Sequence, residues 1–69
     1  MNFSYDADAD AAYVSLTAIA PGAVDETVCV SEGFPALAGD VNLDLDGDGR
    51  LLGIEILGAS RFLPTDLLQ

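Results

Sequence analysis

The sequence predicts an α+β fold that is mostly β: an antiparallel β-meander of four to five short strands, with a short C-terminal helix packed on one face. Three observations predict it. Turn-forming clusters divide the 69 residues into segments too short for typical helices. Those segments are rich in valine, leucine, isoleucine, tyrosine and threonine, which pack well on a pleated surface. Within them apolar and polar side chains alternate with a period of two, most clearly in the second half of the chain.

Phe3 and Tyr5 mark a short first strand. Asp6–Asp10 alternates aspartate with alanine and reads as a polar turn. Ala12, Val14, Leu16 and Ala18 then alternate with Tyr13, Ser15, Thr17 and Ile19 as a second strand, ended by Pro21-Gly22. Val24, Glu26, Val28 and Val30 oppose Asp25, Thr27, Cys29 and Ser31 in a third, and Glu32–Asp40, with Gly33, Pro35 and Gly39, forms a longer loop. In the fourth strand Val41, Leu43 and Leu45 share one face and Asn42, Asp44 and Asp46 the other. In the fifth, Leu52, Ile54 and Ile56 oppose Leu51, Gly53 and Glu55.

Register follows from the requirement that the apolar sets meet, since a slip of one residue sends every side chain to the wrong face. A four-residue loop, Asp46-Gly47-Asp48-Gly49, places Leu43 opposite Leu52 and Val41 opposite Ile54, with Gly49 free to adopt a left-handed conformation. The chain closes differently. Leu57, Arg61 and Phe62 fall at helical spacing, and Pro64-Thr65-Asp66 is suited to opening a last helical turn.

Composition bounds the function. Two basic and twelve acidic side chains give a formal charge of −10, with no histidine. Nucleic-acid binding is not expected, because two basic side chains leave almost nothing to neutralise phosphates, and an anionic membrane surface repels the same charge. No continuous apolar run is long enough for a transmembrane helix. Hydrophobic residues make up 51% of the chain, too many for a disordered acidic tail, but ten of them are alanines. A single small domain over residues 1–69 therefore has a thin core. Chains of this size usually need a disulfide, a metal or a partner subunit. Cys29 is the one cysteine, so no intrachain disulfide forms and the usual zinc sites lack ligands. Self-association remains, and a homodimer is expected. Without a basic start or a continuous apolar stretch at Met1–Asp6 to suggest export, a cytoplasmic setting with a reduced thiol is expected.

The segment from Asp44 to Glu55 satisfies the calcium-loop pattern of an EF-hand: aspartate at Asp44, Asp46 and Asp48, glycine at Gly49, glutamate at Glu55. Its context argues against a metal site, because strands rather than helices flank it and Gly53 weakens an exiting helix. In the hairpin Glu55 lies opposite Asp40, too far along the ladder to close a cage around the turn. Aspartates chosen for turn conformation are the preferred reading, and a calcium or other divalent-cation module using Asp44, Asp46, Asp48 and Glu55 is the alternative. Asp6, Asp8 and Asp10 are read as turn residues in the same way. No other cofactor is implied.

No catalytic residues are assigned. General acid–base chemistry near neutral pH favours histidine, lysine or a carboxylate of shifted pKa, and the chain has no histidine and no lysine. Cys29 stands on the polar face beside Asp25, Thr27 and Ser31, where carboxylate disfavours the thiolate. Glu55, amid apolar residues, is expected to be hydrogen-bonded to backbone amides or to the hydroxyl of Tyr5 or Tyr13, with simple exposure as the alternative, and Gly53 to admit a ring or a second backbone.

Tyr5-Asp6, Ala9-Asp10-Ala11-Ala12-Tyr13-Val14, Asp44-Leu45-Asp46-Gly47-Asp48-Gly49-Arg50 and Gly53-Ile54-Glu55-Ile56-Leu57-Gly58-Ala59-Ser60 resemble the signature of the domain of unknown function 2283 family, small and mostly bacterial proteins. The resemblance covers nearly the whole chain and departs most around Val24 to Gly39. It implies a strand-rich domain with a C-terminal helix. It also implies partnership with small toxin-like proteins, as an antitoxin or antitoxin-like inhibitor. The charge agrees, since an acidic protein is steered onto a basic one. The function expected is a non-catalytic protein-interaction module acting as a homo-oligomer on a basic protein partner.

Overall fold

A computed structural model of the chain describes residues 1–30 and 38–68. It contains five strands: β1 (Asn2–Asp6), β2 (Ala11–Ser15), β3 (Glu26–Cys29), β4 (Asp40–Leu45) and β5 (Leu51–Leu57). All pairings are antiparallel. The spatial order is β1-β2-β5-β4-β3, which is not a meander. β5 inserts between β2 and β4, and the connection after β2 carries β3 to the far edge. The physical reason lies in the sequence of β5, Leu-Leu-Gly-Ile-Glu-Ile-Leu, the richest of the strands in large aliphatic residues. The centre of the sheet gives such a strand two neighbours instead of one. Most of the expected loop Glu32–Asp40 lies outside the described residues.

Residues directly opposite in an antiparallel ladder project to the same face. One face therefore carries an unbroken apolar row across all five strands, Phe3–Val14–Ile54–Leu43–Val28, and a second row, Tyr5–Ala12–Ile56–Val41. The other face carries Ser4–Tyr13–Glu55–Asn42–Cys29 and Asn2–Ser15–Gly53–Asp44–Thr27. The facing expected from alternation is thus present in β4 and β5, but the register differs by two residues. Leu43 lies opposite Ile54 and Val41 opposite Ile56. Leu45 pairs with Leu51 across a five-residue loop, Asp46–Arg50, and the register shift beside Asp44 absorbs Leu52 as a bulge. A shift of two preserves the faces, which is why pattern alone could not detect it.

The C-terminal helix is replaced by two single turns of 3₁₀ helix, Ala59–Arg61 and Thr65–Leu68. Leu57, expected to begin the helix, is held in β5 between Ala11 and Asp40. Gly58 then turns left-handed at φ 72°. The Ala59 N–H donates to the Asp10 carbonyl at 3.0 Å instead of entering a helical ladder. Pro64, four residues on from Ser60, brings no N–H and biases Leu63 away from helical angles. Too few residues remain between these constraints for an α-helix.

Among the described residues Ala12 and Ala59 are the buried apolar side chains, and no large side chain is fully buried. Extensive packing between elements is strand against strand along the ladder. Among the described residues no helix is long and apolar enough to cross a membrane.

Candidate functional site

The polar face gathers the side chains most suggestive of chemistry. Gly53 sits between Ser15 and Asp44, and a methyl group in its place would overlap the ring and hydroxyl of Tyr13. The absent side chain lets Tyr13 reach from β2 over β5 to β4. There its hydroxyl donates to Asp44 Oδ2 at 2.6 Å. Thr27, on β3, donates to Asp44 Oδ1 at 2.7 Å. Both carboxylate oxygens of Asp44 are therefore occupied, and one acid joins three strands across the glycine of a fourth. Burial, and then the bond to Asp44, push the Tyr13 phenol up to about 12. At neutral pH Tyr13 is a fixed proton donor to a carboxylate.

Glu55 faces Tyr13 on one side and Asn42 on the other. Its hydrogen bond comes from Asn42, whose Nδ2 donates to Oε1 at 3.0 Å. The expected partner was a tyrosine hydroxyl or a backbone amide. Tyr13 is instead drawn past Glu55 to Asp44, and Asn42, not Asp40, stands opposite Glu55 because of the two-residue register difference.

A second cluster ties the two ends of the chain together. Asp10 closes the β1–β2 turn with φ 51°, a left-handed conformation that aspartate tolerates. Its Oδ1 accepts from the Tyr5 hydroxyl at 2.8 Å and from the Ser60 N–H at 2.9 Å, and its Oδ2 from the Ser60 hydroxyl at 2.7 Å. The Ser60 hydroxyl, then the Tyr5 hydroxyl, hold the Asp10 carboxyl below the ordinary range. The bond to Asp10 raises the Tyr5 phenol. Sequence reasoning placed Asp10 in a turn and missed the clasp. The signals available were an aspartate at the end of the turn and Ser60 just after Gly58, but nothing local links positions 50 residues apart. Asp6 is the turn residue expected, its Oδ1 accepting from the N–H groups of Asp8 at 3.0 Å and Ala9 at 3.4 Å.

The acidic glycine turn is a hairpin tip flanked by strands, and its carboxylates diverge. Asp44 lies on the polar face. Asp46 folds onto the loop, its Oδ1 accepting from the N–H groups of Asp48 and Arg50 at 2.9 Å each. Asp48 is exposed at the tip, and Glu55 stands up the strand beside Asn42. Among the described residues no three carboxylate or thiol groups converge as a metal would need. Cys29 is exposed at the edge strand β3, on the polar face. The described residues enclose no pocket.

These two clusters contain several of the residues on which the family resemblance rests: Tyr5, Asp10, Tyr13, Asp44, Gly53, Glu55 and Ser60. No curated protein and no solved structure matches the chain. The family model described as "Protein of unknown function (DUF2283)" matches residues 2–60 of the 69. The chain, with its five-stranded sheet and its Tyr–Asp clasp, belongs to that family.

Proposed function

We propose that the chain is a non-catalytic protein-interaction module that acts as a homo-oligomer in the cytoplasm, in the manner of an antitoxin-like inhibitor of a basic partner. The observation that carries this reading is the division of the sheet into two faces of opposite character. On the polar face the groups that resemble catalytic machinery are engaged with one another: Tyr13 and Thr27 with Asp44, Asn42 with Glu55. A carboxylate with both oxygens accepting, beside a phenol held protonated, is an arrangement that ties strands together. On the opposite face apolar side chains cross all five strands. Such a face serves association.

The charge of −10 supports a basic partner, because complementary charge accelerates encounter and selects against acidic competitors. The acidic turns Asp6–Asp10 and Asp46–Arg50 lie at opposite ends of the sheet, so a partner engaging both must span its length. Co-expression with the product of the neighbouring gene, followed by light scattering on a sizing column at low salt, tests the reading. A complex that dissociates as salt rises is expected. Two proteins eluting independently at low salt would remove the partner, and a monomeric mass for the chain alone would remove the homo-oligomer.

A further inference from the structure

A sheet with one apolar face is stable when a second layer covers that face. Here no described element other than neighbouring strands packs extensively on the strands. The chain exposes 4601 Å², about 500 Å² more than a folded monomer of its mass is expected to expose. Its radius of gyration is 12.3 Å, against about 11 Å for a compact domain of this length. We propose that a second copy of this chain supplies the missing layer, the two sheets stacking through their apolar faces about a two-fold axis, with Phe3, Val14, Ile54, Leu43 and Val28 at the contact. The proposal rests on the homo-oligomer reading above and assigns it a surface.

Charge favours this surface over others. The paired residues along both apolar rows carry no ionised group, with Glu26 at the margin of that face opposite Leu45, whereas Asp6, Asp40, Asp44 and Glu55 project from the opposite face. Stacking through the apolar rows is the arrangement that keeps those carboxylates away from the contact and in water. Depletion of charge at the centre is the compositional mark of protein interfaces. A row of apolar side chains is also self-complementary, as a two-fold contact requires. Area agrees as well. Five strands about 4.8 Å apart and roughly five residues long present a face of roughly 24 by 17 Å. Two such faces total roughly 800 Å² in projection, which the relief of their side chains raises towards the lower bound of about 1,200 Å² for a stable interface. Edge-to-edge pairing through β1 or β3 would leave both apolar faces uncovered, and β3 begins with Glu26, next to Asp25.

Mixing ¹³C-labelled with unlabelled protein and recording isotope-filtered nuclear Overhauser contacts tests the surface directly. Methyl groups of Val14, Val28, Leu43 and Ile54 are expected to show contacts between copies. Phe3→Glu is expected to weaken the dimer by about tenfold or more, since it buries a charge at the contact. Ser4→Glu, on the same strand but the opposite face, is expected to leave it unchanged. Phe3 is 36% exposed, and circular dichroism checks that both variants fold. A dimer whose inter-copy contacts lie along β1 or on the polar face, or that is indifferent to Phe3→Glu, overturns this surface while leaving the homo-oligomer reading intact. A monomer at the concentrations used for spectroscopy overturns both.

Discussion

Gly53 owes its importance to the Tyr13 ring that crosses it on the way to Asp44. In Gly53→Ala the ring must swing aside and surrender that hydrogen bond, at a cost of about 1–2 kcal/mol, partly offset by the entropy that glycine loses in a strand, about 0.5–1 kcal/mol. Tyr13→Phe loses the same bond. The double variant loses it once, so urea denaturation is expected to give a cost about 1 kcal/mol below the sum of the singles. Additive costs would show that the ring and the glycine are independent. Tyr13 also predicts a pH response. Its folded-state value of about 12 lies above the ordinary 10.0, so its stabilising contribution is complete below pH 10 and is lost as pH rises through 12. Tyrosinate absorbance should therefore develop late in the folded protein, and Tyr13→Phe should remove the last step. For Asp10 the sign reverses: a lowered carboxyl stabilises above the ordinary aspartate range and ceases to do so as pH falls below it. Thermal melts of the protein and of Asp10→Asn are expected to differ most near neutrality and to converge in strong acid.

At the scale of elements, the β4–β5 hairpin shows what the sequence made legible and what it concealed. Alternation in Val41–Leu45 and Leu52–Ile56 identifies both strands and their faces, because burial on one side enforces a period of two. Gly53 was readable as a site of close approach, since a glycine inside a strand usually has a packing reason. The register was hidden, because a bulge and a five-residue loop preserve the same pattern as the simpler four-residue turn. Strand order was hidden for a related reason: two-sided pairing of β5 involves backbone groups that every residue possesses. The helix was overpredicted because the spacing of Leu57, Arg61 and Phe62 carries no information that Leu57 is already claimed by β5. The clasp of Asp10 and Ser60 depends on that same closure. In the hairpin loop, Asp46 holds two backbone N–H groups with one oxygen, and Gly49 turns at φ 80°. Asp46→Ala is expected to cost about 1 kcal/mol, seen as a melting temperature lower by roughly 4–8 °C. Because this carboxylate is turned to the loop backbone, millimolar calcium is expected to leave the melting temperature of the parent unchanged. A calcium-dependent rise abolished by Asp46→Ala would reinstate the cation reading.

The two apolar rows of the sheet carry no charge, Glu26 standing at their margin opposite Leu45, and this predicts opposite salt dependences for the molecule's two kinds of association. In a face-to-face dimer the contact is apolar, while two bodies of charge −10 are brought together. Their repulsion acts around the rim through water and is screened beyond about 10 Å at 0.1 M ionic strength. Raising salt removes part of that repulsion and leaves the burial of Val14, Leu43 and Ile54 untouched. The dimer is therefore expected to tighten between low and physiological salt. Association with a basic protein depends on attraction between unlike charges, which the same salt weakens. Sedimentation equilibrium of the chain alone, paired with binding isotherms to the basic partner across the same salt series, is expected to give slopes of opposite sign. A dimer that loosens as salt rises would mean that unlike charges meet at its contact. Arg50 and Arg61 are the two cations available, and neither stands on an apolar row, so such a slope would move the interface off the apolar face.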